Sequence, residues 1–438
     1  MIIASALVLL FLALIGAPLF VIIAASALWG FHRLDISLTS VILETFSIAE
    51  TPILLAIPLF TLAGYLLSES GAPGRLVRFT QALLGWVPGG LPIVALASCA
   101  FFTAFTGASG VTIIALGAIL YPALQQSGHS DRFNLGLITA GGSLGLLFAP
   151  SLPIILYGVV AKQPIDQLFI AGALPGLLML FVLSGYCMWT QREHRSSLAE
   201  FSWKNVRSSI AESALELPLP FIVLGGIYSG LLAVSEAAAI TALYVFIVEV
   251  VIRREIKWKQ LPAIARESMT LVGGILIILG LSFASTNYMI DAEVPQKLFN
   301  YTQSLIADRW SFLFFLFLFL LALGAILDIF SAIVLIVPLI LPLAASYGID
   351  PLHLGIIFLA TMQLGYLTPP VGLNLFIASY RFNTPILQVY SAALPFLIIL
   401  AATVLIITFV PQLRYGLNKQ SRLYLHRKTS CVISIAWS

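Results

Sequence analysis

Residues 365–376 read GYLTPPVGLNLF and lie inside one of the most apolar stretches of the chain. Proline in a helix interior costs about 3 kcal/mol or more through its missing N–H and its clash with the preceding turn, and glycine costs roughly 1 kcal/mol relative to alanine. Two prolines and two glycines, with an asparagine after them, break a helix where breaking costs most. The reason for that break decides the fold.

The surroundings are membrane. Of 438 residues, 60% are hydrophobic and 9% charged, where a soluble chain carries roughly 25% charged residues. Mean hydropathy is +1.03. Apolar runs long enough to cross a bilayer, about 20 residues, recur throughout, and the loops between them hold nearly all the charge. The net charge of +3 belongs to those loops, and no aromatic-interleaved basic patch appears outside them, which excludes nucleic acid as a partner. Cys99, Cys187 and Cys431 show no CxxC or Cys/His spacing, so neither a disulfide framework nor a zinc site is indicated. The five histidines do not cluster, and no Ser/His/Asp, HExxH or GxSxG pattern is present. The chain reads as no enzyme. The run 1–29 lacks the basic start of a signal peptide and is too long for its apolar region, so it reads as a retained first span.

Plain spans are predicted near 2–29, 51–68, 168–189, 213–232, 233–252, 270–290 and 389–411. Four segments are less ordinary. Residues 88–125 and 310–347 carry small or polar residues at their middles, FTGASGVT and LGAILDIFSA, as two close helices or a re-entrant hairpin would. Residues 133–160 and 352–380 are each one span long but interrupted, by GSLGLLFAPSLP and by the opening stretch. These segments superpose as a repeat: GLLFAPSLPI from Gly145 falls on GYLTPPVGLN from Gly365, Leu135–Gly136 on Leu354–Gly355, and YPAL from Tyr121 on LPLA from Leu341.

Basic residues set the orientation. Arg192, Arg195, Lys204 and Arg207 lie in one loop and Arg253, Arg254, Lys257, Lys259 and Arg266 in another, so both are expected in the cytoplasm. Counted outward with two re-entrant hairpins, the hairpins open to opposite sides, an inverted repeat. The same count puts the C-terminus outside, where Arg414, Lys419, Arg422, Arg427 and Lys428 run against the rule.

Irregular backbone survives at membrane depth only where protein or a water-filled site satisfies it. There, half-helix N-termini favour carboxylates, and unwound carbonyls suit a sodium ion. Asn374 and Thr368 add side-chain oxygens, as do Thr106, Ser109 and Thr112 in TGASGVT. Asp328 and Glu236 are the acidic residues least easily assigned to a loop. Asp328 suits a site, a helix N-cap, or both; Glu236, opening SEAAAITALY, suits an N-terminal capping role.

At these motifs the chain resembles the large membrane subunit of the tripartite ATP-independent periplasmic (TRAP) transporters, uptake permeases for dicarboxylates and sialic acid. The match runs from about residue 5 to 412, and rests most on GYLTPPVGLNLFIAS (365–379), GSLGLLFAPSLPIILYGVV (142–160), LFIAGALPGLLM (168–179), SEAAAITALY (235–244) and GIDPLHLGII (348–357). The resemblance implies an all-α, polytopic, elevator-type fold with inverted repeats, two re-entrant helical hairpins and two discontinuous helices, in a bacterial inner membrane. Scaffold spans would occupy 1–68, 168–290 and 389–411, a mobile transport domain 88–160 and 310–380, and a tail 412–438. It implies sodium as coupling ion, a small four-helix membrane subunit and a soluble periplasmic binding protein as partners, and an organic acid as substrate. Its sodium sites fall on Ser109 and Gly110 with Gly145 and Ser151, and on Asp328 with Gly365, Thr368, Gly372 and Asn374. Substrate contacts fall on Ser109, Pro150, Pro370 and Asn374. Ala149 stands where the family usually has the first of two prolines, and TGASGVT has fewer hydroxyls than the usual tip, so the first ion site would lean on backbone carbonyls. The tail from Leu417 resembles nothing in the family.

Three other classes compete. A stand-alone divalent-anion symporter or antiporter shares the hairpin architecture. An intramembrane hydrolase would need a base, and Ser109 has no His or Lys partner in view. A passive channel would want rings of charge or carbonyls in an oligomer, against the two-fold internal symmetry.

Overall fold

The computed structural model describes residues 15–33, 36–47, 50–87, 89–190, 201–306 and 308–415, with 8, 9, 11, 12 and 192. Every regular element among them is helical. After α1 (Leu19–Arg33) and α2 (Thr39–Ser47), the chain runs twice through one series of helices. The first pass is α3 (Ala56–Glu69), α4 (Ala72–Leu84), α5 (Gly90–Thr106), α6 (Ser109–Gln126), α7 (Asp131–Gly141), α8 (Leu152–Val160) and α9 (Ile165–Thr190). Then come α10 (Trp203–Glu212), α11 (Pro218–Tyr228) and α12 (Val234–Phe246), which ends in a π-helical turn, Ile247–Ile252. The second pass is α13 (Leu261–Asp291), α14 (Val294–Leu305), α15 (Arg309–Gly324), α16 (Ile329–Ser346), α17 (Pro351–Gly365), α18 (Leu373–Arg381) and α19 (Ile386–Phe409).

The register of the two passes is close. Helices α6 and α16 are both 18 residues long, and the second starts 220 residues after the first (329 − 109). Each contains an interior proline at the same step, Pro122 and Pro342. The N-caps Ser130 and Asp350, 220 apart (350 − 130), start α7 and α17 by accepting backbone N–H bonds through their side chains. The peptide bonds before Pro150 and Pro370 are both cis. The passes are interlocked: α6 of the first packs on α18 of the second, and α16 of the second on α8 of the first. In the same way α7 packs on α19, and α17 on α9.

Among the described residues, seven helices are long and apolar enough to cross a membrane, or up to nine if bent pairs count as one span. The two hairpins and both interrupted spans lie where the sequence pattern put them. Some boundaries differ. The predicted span 2–29 is interrupted: Val8, Leu9, Phe11 and Leu12 are helical, a turn follows at Ile15–Gly16, and helix resumes at Leu19; residues 1–7, 10, 13 and 14 lie outside the described residues, as do 416–438 of the tail. The predicted span 213–232 contains a helix of only 11 residues, Pro218–Tyr228, because turns take up Ser213–Leu217 and Ser229–Leu232. Helix α13 starts nine residues earlier than the predicted 270 (270 − 261) and has 31 residues. Helices α4, α10 and α14 were not anticipated: their polar faces make them short connecting helices that hydropathy does not reveal.

Charge inside the protein is the larger correction. Arg75 on α4 is buried and paired with Glu216 (2.6 Å), Glu249 (3.2 Å) and Glu255, and Arg253 pairs with Glu216 at 3.0 Å. Glu249 is fully buried in the π-turn. Asp328 and Glu236 are therefore not the only acids to place away from loops. A buried guanidinium persists only with such partners, and this set ties α4, which leads into the first hairpin, to the end of α12. Glu236 caps α12, its carboxylate accepting from the Ala233 N–H at 2.8 Å.

Candidate ion and substrate site

Each hairpin turns by its own device. In the first, Gly107 ends α5 with φ +64°, a left-handed conformation that side chains disfavour, and a Cβ there would also stand 2.7 Å from Leu152. Ala108 then starts α6 with no side-chain cap. In the second, Asp328 occupies the equivalent place (328 − 108 = 220) and its carboxylate accepts from the backbone N–H groups of Phe330 and Ser331, both at 3.0 Å, and from the Ser331 hydroxyl. Ser151 and Gly372, which start the half-helices α8 and α18, provide no side-chain cap. Three of the four N-termini at the breaks thus leave first-turn N–H groups for something else, and the fourth carries a carboxylate.

The second candidate group comes together. A Cβ on Gly365 would meet the Gly324 backbone at 2.4 Å, so break and hairpin are in backbone contact. The Gly372 N–H donates to the Ala325 carbonyl at 3.0 Å, and the Ile329 N–H donates to the Tyr366 hydroxyl at 2.8 Å. Asp328, Gly365 and Gly372 are thereby held at one tip. Thr368 donates back to the Leu364 carbonyl at 3.1 Å.

The first group is divided. Gly145 lies against α5, where a Cβ would meet the Ala100 carbonyl oxygen at 2.2 Å, and Leu152, next to Ser151, lies under Gly107. Gly110, however, faces Ile377 of α18, so the first hairpin tip is shared between both breaks. Asn374 completes the crossing: its amide donates to the Thr139 carbonyl on α7 at 3.2 Å. The two groups form one interlocked region. Pro150 is buried, while Pro369, Pro370 and Val371 are exposed, and the Pro370 carbonyl accepts from Tyr390 at 2.7 Å.

Ser109 is buried, and Ser151 and Asn374 are wholly so; the Ser151 hydroxyl oxygen and the Asn374 Oδ1 have no hydrogen-bond partner. A buried polar atom left unpaired costs about 1–3 kcal/mol. Placed one in each break, these oxygens suit a cation with hard oxygen ligands. No group of three or more His, Cys, Asp or Glu that could hold a metal occurs among the described residues, so such a cation would be held mainly by hydroxyls and carbonyls. Sequence reasoning missed Thr103, Thr139, Tyr366 and Gln363. Thr103 on α5 bonds both the Thr112 hydroxyl (2.7 Å) and the Gly142 carbonyl (2.9 Å), bracing the first break. Gln363, buried on α17, donates to the Met179 sulfur at 3.0 Å. Only their adjacency to breaks and tips could have flagged them.

Doubled, interlocked hairpins and broken helices in a chain of apolar spans define a polytopic membrane transporter. Residues 3–413 match the family described as "Tripartite ATP-independent periplasmic transporter, DctM component"; the chain belongs to this family, as a large permease of the bacterial inner membrane. It is 33% identical over 382 residues to the C4-dicarboxylate TRAP transporter large permease protein DctM of Pseudomonas aeruginosa, covering 87% of this chain and 90% of that one. It is 32% identical over 397 residues to the isethionate TRAP transporter permease protein DctMQ of Oleidesulfovibrio alaskensis, covering 90% of this chain and 61% of that longer protein. The solved structure of the Alcanivorax borkumensis YdaH transporter, described as having an unusual topology, shares the fold with a TM-score of 0.60 at 14% identity, covering 86% of this chain and 88% of that one.

Proposed function

We propose that the chain is the conducting subunit of a sodium-coupled importer of an organic acid anion, such as a C4-dicarboxylate, sialic acid or a similar carboxylate. The observation that carries this reading is the pair of crossed breaks, with unpartnered buried oxygens at Ser151 and Asn374. Sodium takes those oxygens with nearby carbonyls and, at the second tip, the Asp328 carboxylate; Ser109, Gly110, Gly145, Thr368, Gly365 and Gly372 complete the two ion sites. The uncapped N-termini of α6, α8 and α18 face the substrate anion, near Ser109, Pro150, Pro370 and Asn374. The hairpins and broken helices (88–160 and 310–380) move as one body against a scaffold of the remaining spans, and the two halves are inverted in the membrane. No covalent chemistry is performed: the chain is not an enzyme.

None of the four site-forming segments contains Lys or Arg. Compensation for the anion comes from bound sodium and from dipole ends worth only about half a charge each. Affinity must then come from elsewhere, which supports capture by a soluble periplasmic binding protein, with a small four-helix membrane subunit completing the complex. Reconstitution in liposomes tests this. Uptake under an inward sodium gradient should appear only when both partners are added, and should vanish when potassium replaces sodium at fixed pH. Saturable uptake by the purified single chain would favour the stand-alone symporter, and equal uptake in potassium would remove sodium from the scheme.

A further inference from the structure

Helix α16, the second arm of the second hairpin, contains Pro338 as well as Pro342. Because proline has no N–H, the carbonyl four residues before Pro338, that of Val334, loses its intrahelical donor. At membrane depth such a carbonyl needs another partner. It has one: the Ser282 hydroxyl donates to it at 2.7 Å, with both residues buried. Ser282 belongs to α13, which also packs on α1, α2 and α3.

The first pass lacks both halves of this device. Ala118 stands where Pro338 would be (338 − 220), so no extra carbonyl is freed there. By the shared ends of α3 and α13, 222 residues apart (291 − 69), Phe60 stands where Ser282 would be. Helix α3 instead meets its hairpin through Gly64, where a Cβ would lie 2.7 Å from the Thr106 Cα. At the counterpart of this bond the first pass has Ala118 in place of the proline and Phe60 in place of the serine, and the neighbouring Thr61 hydroxyl donates within its own helix to the Ile57 carbonyl at 2.6 Å. Two independent substitutions meet at one bond, and that bond joins two elements that the proposed function assigns to different bodies.

We propose that Ser282 is a positioning residue for transport: its hydroxyl latches the second hairpin to the scaffold by supplying the donor that Pro338 withholds. This rests on the reading that the hairpin moves against the scaffold. The latch then breaks in each cycle and favours the state seen here, in which the second break is exposed at Pro369, Pro370 and Val371. Loss of the bond shifts the population away from that state, while the site residues themselves stay intact.

The test uses Val371→Cys in a Cys431→Ser background, since Cys99 and Cys187 are buried, in the full complex in vesicles, labelled with a membrane-impermeant maleimide. Sodium should change the labelling rate. Adding Ser282→Ala should lower the equilibrium constant for the labelled state about fivefold, the ratio that corresponds to one net hydrogen bond, so the rate falls by up to that factor, and Ser282→Thr should restore it. Adding Pro338→Ala to Ser282→Ala returns an N–H to the Val334 carbonyl, so thermal stability should recover while labelling stays low. Wild-type labelling in Ser282→Ala, or recovery of labelling together with stability in the double variant, overturns the latch. A wild-type rate indifferent to both sodium and substrate instead overturns the moving-hairpin reading, whatever Ser282 does.

Discussion

Replacing Gly365 by alanine asks whether the second hairpin and the second break are one packed unit. The added Cβ would lie 2.4 Å from the Gly324 Cα, 2.5 Å from its carbonyl carbon and 2.9 Å from its oxygen. Ordinary contact begins at 3.4 Å, so α15 and α17 must separate by about 1 Å. All three neighbours are backbone, and no rotamer relieves the clash. The same gap is crossed by the Ile329 N–H to Tyr366 bond (2.8 Å) and the Gly372 N–H to Ala325 bond (3.0 Å). Stretched by about 1 Å, both leave hydrogen-bonding range. Overpacking costs about 1–3 kcal/mol and two lost bonds about 2 kcal/mol together, so the hairpin-to-break contact loses about 3–5 kcal/mol. Gly273→Ala, in the interior of α13 with no atom within 4 Å of the new Cβ, is the matched control and should be neutral or stabilising by up to about 1 kcal/mol. Melting in detergent and sodium-driven uptake by the complex, at equal amounts of inserted protein, are the assays. Gly365→Ala should melt several degrees lower and lose at least about tenfold in uptake, the factor set by 1.4 kcal/mol. If it melts and transports like Gly273→Ala, the close approach of hairpin and break is wrong.

Asn374→Ala should abolish uptake with little loss of melting temperature, because the side chain gives up one hydrogen bond, to Thr139, and a ligand oxygen; normal uptake would remove it from the site. Asp328→Asn should keep α16 capped but weaken sodium dependence, whereas Asp328→Ala should also lose about 0.5–2 kcal/mol of capping; identical sodium curves for wild type and Asp328→Asn would leave only the capping role. Cysteines placed at Lys204 and Lys257 should label only from the cytoplasm, and labelling of either from outside would invert the topology. Glu255 is partly desolvated, which favours its protonated form, but hydrogen bonds from Arg75 and the Gly71 N–H (2.6 Å), with the charges of Arg75 and Arg253, hold it below its ordinary value of 4.5. Its contribution to stability is therefore complete above 4.5 and is lost as pH falls through the lower folded value. The acid limb of the melting profile should shrink in Glu255→Gln, and an unchanged limb would assign it to other groups.

What the sequence made legible was what costs free energy in a bilayer. Pro150 with Pro153, and Pro369 with Pro370, could not sit in ordinary spans, and the alignment of Pro150 with Pro370 helped expose the repeat before any contact was known. Asn374 and Asp328 stood out for the same reason, as polar atoms in hydrocarbon. The pairing of parts was not legible. Nothing in TGASGVT says that Gly110 packs against Ile377 of the other half, because such contacts depend on how the passes interlock, and a single sequence read by itself carries no trace of that. The same limit hid Glu249. Within IVEVVI a lone acid beside a basic loop reads as a span end, yet Arg75, 174 residues away (249 − 75), draws it inside. The distinction is physical: an unpaired polar group announces itself by its cost, while a paired one is silent until its partner is found. Ser282 is the sharpest case. A serine in a membrane helix is unremarked and a second proline in a hairpin looks like a kink, but the carbonyl that Pro338 frees is the one Ser282 takes. Each is explained only by the other, and that mutual dependence makes the bond testable by a double substitution when neither residue alone would have been chosen.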